Sequence, residues 1–273
     1  MAGGYHQGRI GRLSNVCVET MNRALMSIST AVPAPEEIGP RAHPAPVARF
    51  EAVGLKHQDD LGGSRGLSFA LAPGSFHTLT GPSAADKTSI LKLICMTRSP
   101  ARGRVQVFGR DVASLKRAEA ASIRRRIGVV FRDMPMLEHL TVFENAALGP
   151  RIAGRKPAEY GPQVSDVLRW VGLGRRVDER PAILSDGERR CLVIARAVAN
   201  GPEILLADDP TDGLDTVSTH RVVRLMTDLA ASGMTVLVAM ANEQLATASG
   251  ASRLQVQDGR VTLIEGASQG VAP

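Results

Sequence analysis

The sequence predicts an α/β fold with a mostly parallel sheet covered by helices, and three observations predict it. Short β-branched segments alternate with longer helical ones from residue 47 onward, the pattern of strands laid side by side with helices on their faces. One such strand, FHTLT, runs directly into a small-residue loop and an apolar-periodic helix, GPSAADKTSILKLI. Another, EILLAD, delivers two adjacent acids, Asp208 and Asp209, at its end.

The elements follow in order. Residues 1–46 hold no sustained periodicity and close on AVPAPEEIGPRAHPAPVA, whose five prolines oppose regular helix; they are expected to be a disordered, Pro-rich extension. Residues 47–273 read as one compact unit. VARFEAV, SFHTLT, RVQVF and IGVVF are its first strands, and EILLAD, TVLVAM and LQVQ its last. Between the two sets lie about seventy residues with helical patterning, including SDVLRWVGL and SDGERRCLVIARAVA. They are expected to form a helical subdomain over about 132–195.

Composition limits the function classes. The 273 residues suit one or two domains at about 150 residues each. With 44% hydrophobic and 22% charged residues, the chain is ordinary globular material. Aromatics at 3% argue against a surface of base-stacking rings. Cys17, Cys95 and Cys191 are far apart, with no CxxC, and are expected to be reduced, cytosolic and metal-free. The net charge of +6 comes from a basic set that is mostly arginine. It reads as a solvated face that tolerates anionic lipid or nucleic acid without naming either. The longest apolar runs, such as TVLVAMA, are far shorter than the roughly 20 residues of a membrane helix.

The strand–loop–helix segment holds Gly81, Pro82, Ser83, Ala84, Ala85, Asp86, Lys87, Thr88 and Ser89. A phosphate loop needs this context, because backbone N–H groups and a helix N-terminus cradle phosphate oxygens. Gly81, Lys87 and Thr88 fit the pattern G-x-x-x-x-G-K-[ST], but Asp86 occupies its last glycine and brings negative charge toward a polyanion. Asp86 is expected to cap a helix beginning near Lys87. The competing reading is a plain strand-to-helix turn with an incidental lysine. Beside a phosphate loop, Asp208 would lie near magnesium and Asp209 near the attacking water; alone, the segment is a strand ended by the turn DPTDG.

LSDGERRCLVIARA, just upstream of the acidic strand, brings these segments into one pattern. It resembles the signature helix of the ABC transporter-type ATP-binding proteins, and the chain resembles in particular their FtsE-like cell-division members. RFEAV, LTGPS, LKLIC, RRRIGVVF, ENAALG, IARAV, LLADDPT and TVLVA fall in the order that family uses, over nearly all of residues 48–265. The resemblance implies a P-loop NTPase fold of the ABC nucleotide-binding type. It implies ATP held between the Gly81–Thr88 loop of one subunit and Ser185 and Gly187 of another. Thr88 and Asp208 would serve Mg2+, Asp209 would take the place of the catalytic glutamate, and His57 would face the adenine. The implied partners are an FtsX-like integral membrane subunit and a second nucleotide-binding subunit, a homodimer or a paired chain. The place is the cytoplasmic face of the plasma membrane, and the family acts in cell division through control of cell-wall hydrolysis.

Departures from the family pattern gather on chemistry. Ala84 and Asp86 replace loop glycines, and Arg132 replaces the glutamine after IGVVF. Asp186 replaces a signature glycine, and Arg189, Arg190 and Cys191 alter the residues beyond it. Asp209 is one methylene shorter than glutamate, a displacement that costs about a hundredfold when it misplaces a base. Ala241 stands where the family has a histidine. The expectation is an ATP-binding subunit with weak or lost hydrolysis, Arg132 supplying charge near the terminal phosphate. The rivals are a fully active ABC ATPase of a transporter or division complex, and a basic nucleic-acid-binding module; no nucleic acid is expected as a partner. Residues 132–149, with Met134, Met136 and Leu137, are expected either to receive the membrane subunit or to form a buried loop core.

Overall fold

The computed structural model describes residues 45–55, 66–257 and 259–266. The expected extension falls almost entirely, and His57 wholly, outside them. Three strands come first, β1 (Ala48–Gly54), β2 (Leu67–Leu71) and β3 (Phe76–Thr80), then helix α1 (Ala84–Ile94). Strands β4 (Arg102–Val107) and β5 (Arg110–Asp111), helix α2 (Arg117–Arg124) and strand β6 (Ile127–Val130) follow. A run of helices comes next: α3 (Val142–Ala146), α4 (Leu148–Ile152), α5 (Pro157–Trp170) and α6 (Asp186–Val198). The last elements are β7 (Ile204–Asp208), α7 (Thr216–Ala231), β8 (Thr235–Ala239), α8 (Glu243–Ala248), β9 (Ser252–Gln257) and β10 (Arg260–Ile264).

The main sheet has the order β10-β9-β3-β8-β7-β6. Its neighbours are parallel from β9 through β6, and β10 joins the edge antiparallel. Parallel strands lie under helices on both faces and must be apolar throughout; all five residues of β8 are buried, as are the first four of β7. Alternate side chains of these strands enter two different cores. Leu205, Ala207, Val236 and Val238 pack with α5, α6 and α7, whereas Ile204, Leu206, Leu237 and Ala239 pack with α1 and β1.

A second, antiparallel sheet, β2-β1-β4-β5, covers the α1 side. The sequence alternation does not predict this layer, nor β2, β5 and β10. In β1 the period breaks at a bulge around Ala52, whose φ is +49°, so its burial does not alternate cleanly. β5 is only two residues long, and β10 shows no buried face that a pattern could reveal.

Because β3, β6, β7 and β8 run parallel, their C-terminal ends share one edge of the sheet. The residues just beyond those ends are Gly81, Arg132, Asp209 and Ala241. Open parallel sheets bind ligands at that edge.

Candidate functional site

The loop after β3 is built around Gly81. Its φ is +135°, and a Cβ placed there would lie 2.0 Å from the Val256 carbonyl oxygen of β9; only glycine lets the chain leave β3 this close to its neighbour. Ser83 is the N-cap of α1, its hydroxyl accepting from the Asp86 N–H at 3.2 Å. The helix therefore begins at Ala84 and not near Lys87, and Asp86 sits inside its first turn. Asp86 is not the cap, because a serine three residues earlier already takes its N–H.

Lys87 is 2% exposed and its Nζ donates to the Gly81 carbonyl oxygen at 2.7 Å. Among the described residues it forms no ion pair with a carboxylate. A buried ammonium held by one carbonyl is costly unless an anion joins it, and the first-turn N–H groups of α1 face the same loop. Ala84 and Ala85 are exposed on that turn. Ser89 is buried on the other side, its hydroxyl accepting from Arg98.

The acids at the end of β7 meet this loop. The Thr88 hydroxyl donates to Asp208 Oδ2 at 2.7 Å. Burial pushes the Asp208 carboxyl above the usual aspartate range; Thr88 opposes this, Asp209 adds to it, and Arg132 and Lys92 pull it back. Asp209 is buried, with φ at +44°. Its N–H donates to the Ala239 carbonyl at 2.9 Å, and its Oδ1 accepts from the Ala241 N–H at 2.7 Å. Its Oδ2 pairs with Arg132 Nη2 at 3.4 Å, while Arg132 Nε pairs with Asp212 Oδ2 at 3.4 Å. Thr88, Asp208, Asp209, Arg132 and Ala241 are thus gathered in one place.

Ser185 and Gly187 form a separate corner. Ser185 caps α6 in a reciprocal box with Glu188: the Glu188 N–H donates to Ser185 Oγ at 3.3 Å, and the Ser185 N–H donates to Glu188 Oε2 at 3.0 Å. That N–H is the main cause holding the Glu188 carboxyl below its usual range. A Cβ on Gly187 would meet Ser218 Oγ at 2.3 Å, so the glycine lets α6 approach α7. Among the described residues no hydrogen bond or ion pair joins Ser185 or Gly187 to the Gly81–Thr88 loop.

Two features lie outside what the motifs predict. Asp212 enters the ion-pair set only because the positive φ at Asp209 turns the chain back, the Asp212 N–H donating to the Asp209 carbonyl at 3.1 Å. Asn145 is fully buried and braces the segment after Arg132: its Oδ1 accepts from the Leu137 N–H, and its Nδ2 donates to the carbonyls of Leu137, Leu140 and Thr141. The signal for it was the ENAALG segment, which gives no hint of the loop it holds. Met134 and Met136 are half-buried against the core and, with Arg132, Arg190, Asp212 and Leu214, line a cavity of about 550 Å³.

Comparison with known proteins gives a consistent result. The family model described as ABC transporter matches residues 64–212. The cell division ATP-binding protein FtsE of Escherichia coli (strain K12) is 36% identical over 213 residues, covering 78% of this chain and 96% of the relative. The protein of the same name from Bacillus subtilis (strain 168) is 34% identical over 194 residues, covering 71% and 85%. A solved dimeric ATP-binding cassette in a post-hydrolysis state, bound to ADP and Pi, superposes with a TM-score of 0.68 at 28% identity, over 78% of this chain and 96% of that one.

Proposed function

The chain belongs to the ABC transporter family, and from that premise we propose that it is the ATP-binding subunit of a membrane-associated ABC complex acting in cell division, with ATP hydrolysis weak or lost. The buried Lys87, folded back onto Gly81 with no carboxylate partner among the described residues, carries the nucleotide part of this reading. It supplies a desolvated positive charge where phosphates would lie, at a helix N-terminus that favours anions. Thr88 and Asp208 fit a magnesium site of the usual kind, one hydroxyl and one carboxylate with phosphate oxygens and water completing the shell. The metal would neutralise charge on the terminal phosphates.

Weak hydrolysis follows from how Asp209 is held. A general base needs a lone pair directed at the attacking water. Each Asp209 oxygen takes one partner, the Ala241 N–H or Arg132, and the Ala241 N–H keeps the carboxylate drawn toward the end of β8 even when Arg132 turns to phosphate. Its shorter side chain does not extend past those contacts as a glutamate would. Ala241 contributes its backbone N–H and brings no imidazole.

The division role and the membrane partner rest on the likeness to the FtsE proteins. No helix among the described residues is long and apolar enough to cross a membrane, so membrane association in this reading runs through an FtsX-like subunit on the cytoplasmic face. Ser185 and Gly187, apart from the phosphate loop in their own chain, would complete the site of a second subunit.

The test uses the full chain. Calorimetry with ATP and magnesium is expected to show saturable binding, while phosphate release stays near background. No binding would refute the nucleotide reading, and turnover at a rate ordinary for this family would refute the weak-hydrolysis part. Co-purification with an integral membrane protein of the FtsX type is expected from cells expressing the tagged chain.

A further inference from the structure

Arg132 stands where three acids converge. Asp208, Asp209 and Asp212 lie within five residues of one another, and the guanidinium bridges the second and third with both contacts at 3.4 Å. Its side chain is 51% exposed against 12% for Asp209. Resting on the nucleotide-binding reading above, we propose that Arg132 is an internal counter-ion of Asp209 and Asp212 for which the terminal phosphate of a nucleoside triphosphate competes, so that filling the site releases the Asp209–Leu214 turn.

The geometry favours such an exchange. Each carboxylate takes a single guanidinium nitrogen at long range, so the planar fork is not used bidentately by either. A phosphate group offers two oxygens to that fork in the stronger, paired arrangement. The anion would arrive beside Thr88 and Asp208, and Arg132 already acts on the Asp208 carboxyl from across the site. A diphosphate, one phosphoryl group shorter, would leave the bridge in place.

The two acids respond differently to losing the arginine. Asp209 stays tethered through Oδ1 to the Ala241 N–H and frees its other oxygen. Asp212 is half-exposed and has Arg132 as its ion-pair partner among the described residues, so its turn gains freedom. One side chain beyond β6 thereby links occupancy at the β3 loop to the segment that leads into α7. A ligand that binds the released form better shifts the population toward it.

The experiment combines two measurements on the full chain. Calorimetry with ATP and with ADP, both with magnesium, compares wild type, Arg132→Gln, Asp212→Asn and the double variant. Arg132→Gln is expected to weaken ATP about tenfold, the value of a charge-assisted contact, and to leave ADP unchanged. Asp212→Asn, which removes a competitor for the guanidinium, is expected to tighten ATP a few-fold, a gain that vanishes in the double variant. Amide exchange in the nucleotide-free protein should accelerate across residues 211–214 in Arg132→Gln. Equal losses for ATP and ADP, a gain from Asp212→Asn that survives in the double variant, or unaltered exchange would each overturn the proposal. Should Arg132→Gln fail to fold, Arg132→Lys, which keeps the charge without the fork, is expected to show a smaller selective loss of ATP; an unchanged ATP-to-ADP ratio there overturns it as well. A wild-type chain that binds neither nucleotide refutes the reading of the site itself, and the exchange measurement still decides the bridge.

Discussion

Asp208 is expected to destabilise the protein without nucleotide and, in the proposed reading, to gain its use when magnesium binds. Burial, with Asp209 adding to it, raises its carboxyl above the ordinary aspartate range. A raised acid imposes no penalty below its unfolded pKa of about 3.9, where both states are protonated, and takes stability away as pH rises through the folded value. Asp208→Asn is therefore expected to raise the melting temperature at pH 7 and to lose that advantage as pH falls toward 4. In calorimetry the same variant should lose the magnesium-dependent part of ATP binding while keeping the part measured in EDTA. A lower melting temperature at pH 7 would mean that the Thr88 contact outweighs burial. Asp208 and Asp209 were legible in the sequence because an apolar strand ended on them. The partnership of Asp212 with Arg132 was not, because it depends on a positive φ at Asp209, a conformation that aspartate adopts only occasionally and no spacing rule announces.

Two elements fix the loops around those residues. Helix α1 starts one turn earlier than the sequence suggested, so the capping energy belongs to Ser83. Ser83→Ala is expected to cost about 1 kcal/mol of stability. Asp86→Gly should cost about as much through helix propensity and the lost first-turn acid, while tightening ATP by removing a negative charge from the loop; chemical denaturation and calorimetry separate the two effects. At the other loop, Asn145→Ala on α3 removes four hydrogen bonds to backbone groups of residues 137–141. The expected loss is about 2 kcal/mol or more, with faster exchange confined first to 133–141. Parallel strands announced themselves by continuous apolar runs, and the helices by their period. VARFEAV and RVQVF were legible as strands of the antiparallel sheet, but the layer they form was not, because a bulge breaks the alternation of β1, and β2 and the two-residue β5 leave no clear pattern.

At the scale of the molecule the fold is that of an ABC nucleotide-binding domain, and its sheet separates two cores while bringing four loops to one edge. The alternation of strands and helices made that edge foreseeable; which side chains would meet across it was not, since Arg132, Asp209 and Ala241 come from three different strand ends. With hydrolysis weak as proposed, their arrangement predicts which changes would raise it. Asp86→Gly alone is expected to improve binding with little turnover, because Asp209 is still short and tethered to the Ala241 N–H. Asp209→Glu alone adds reach but leaves no imidazole at 241. Ala241→His alone supplies the imidazole beside an aspartate that cannot place the water. Residues that act on one reacting centre contribute non-additively, so the triple variant Asp86→Gly, Asp209→Glu, Ala241→His should hydrolyse ATP far faster than the product of the single effects. Steady-state phosphate release on all four variants measures this directly. Gains that multiply, or a triple variant no faster than wild type, would show that the four loop ends do not work as one site.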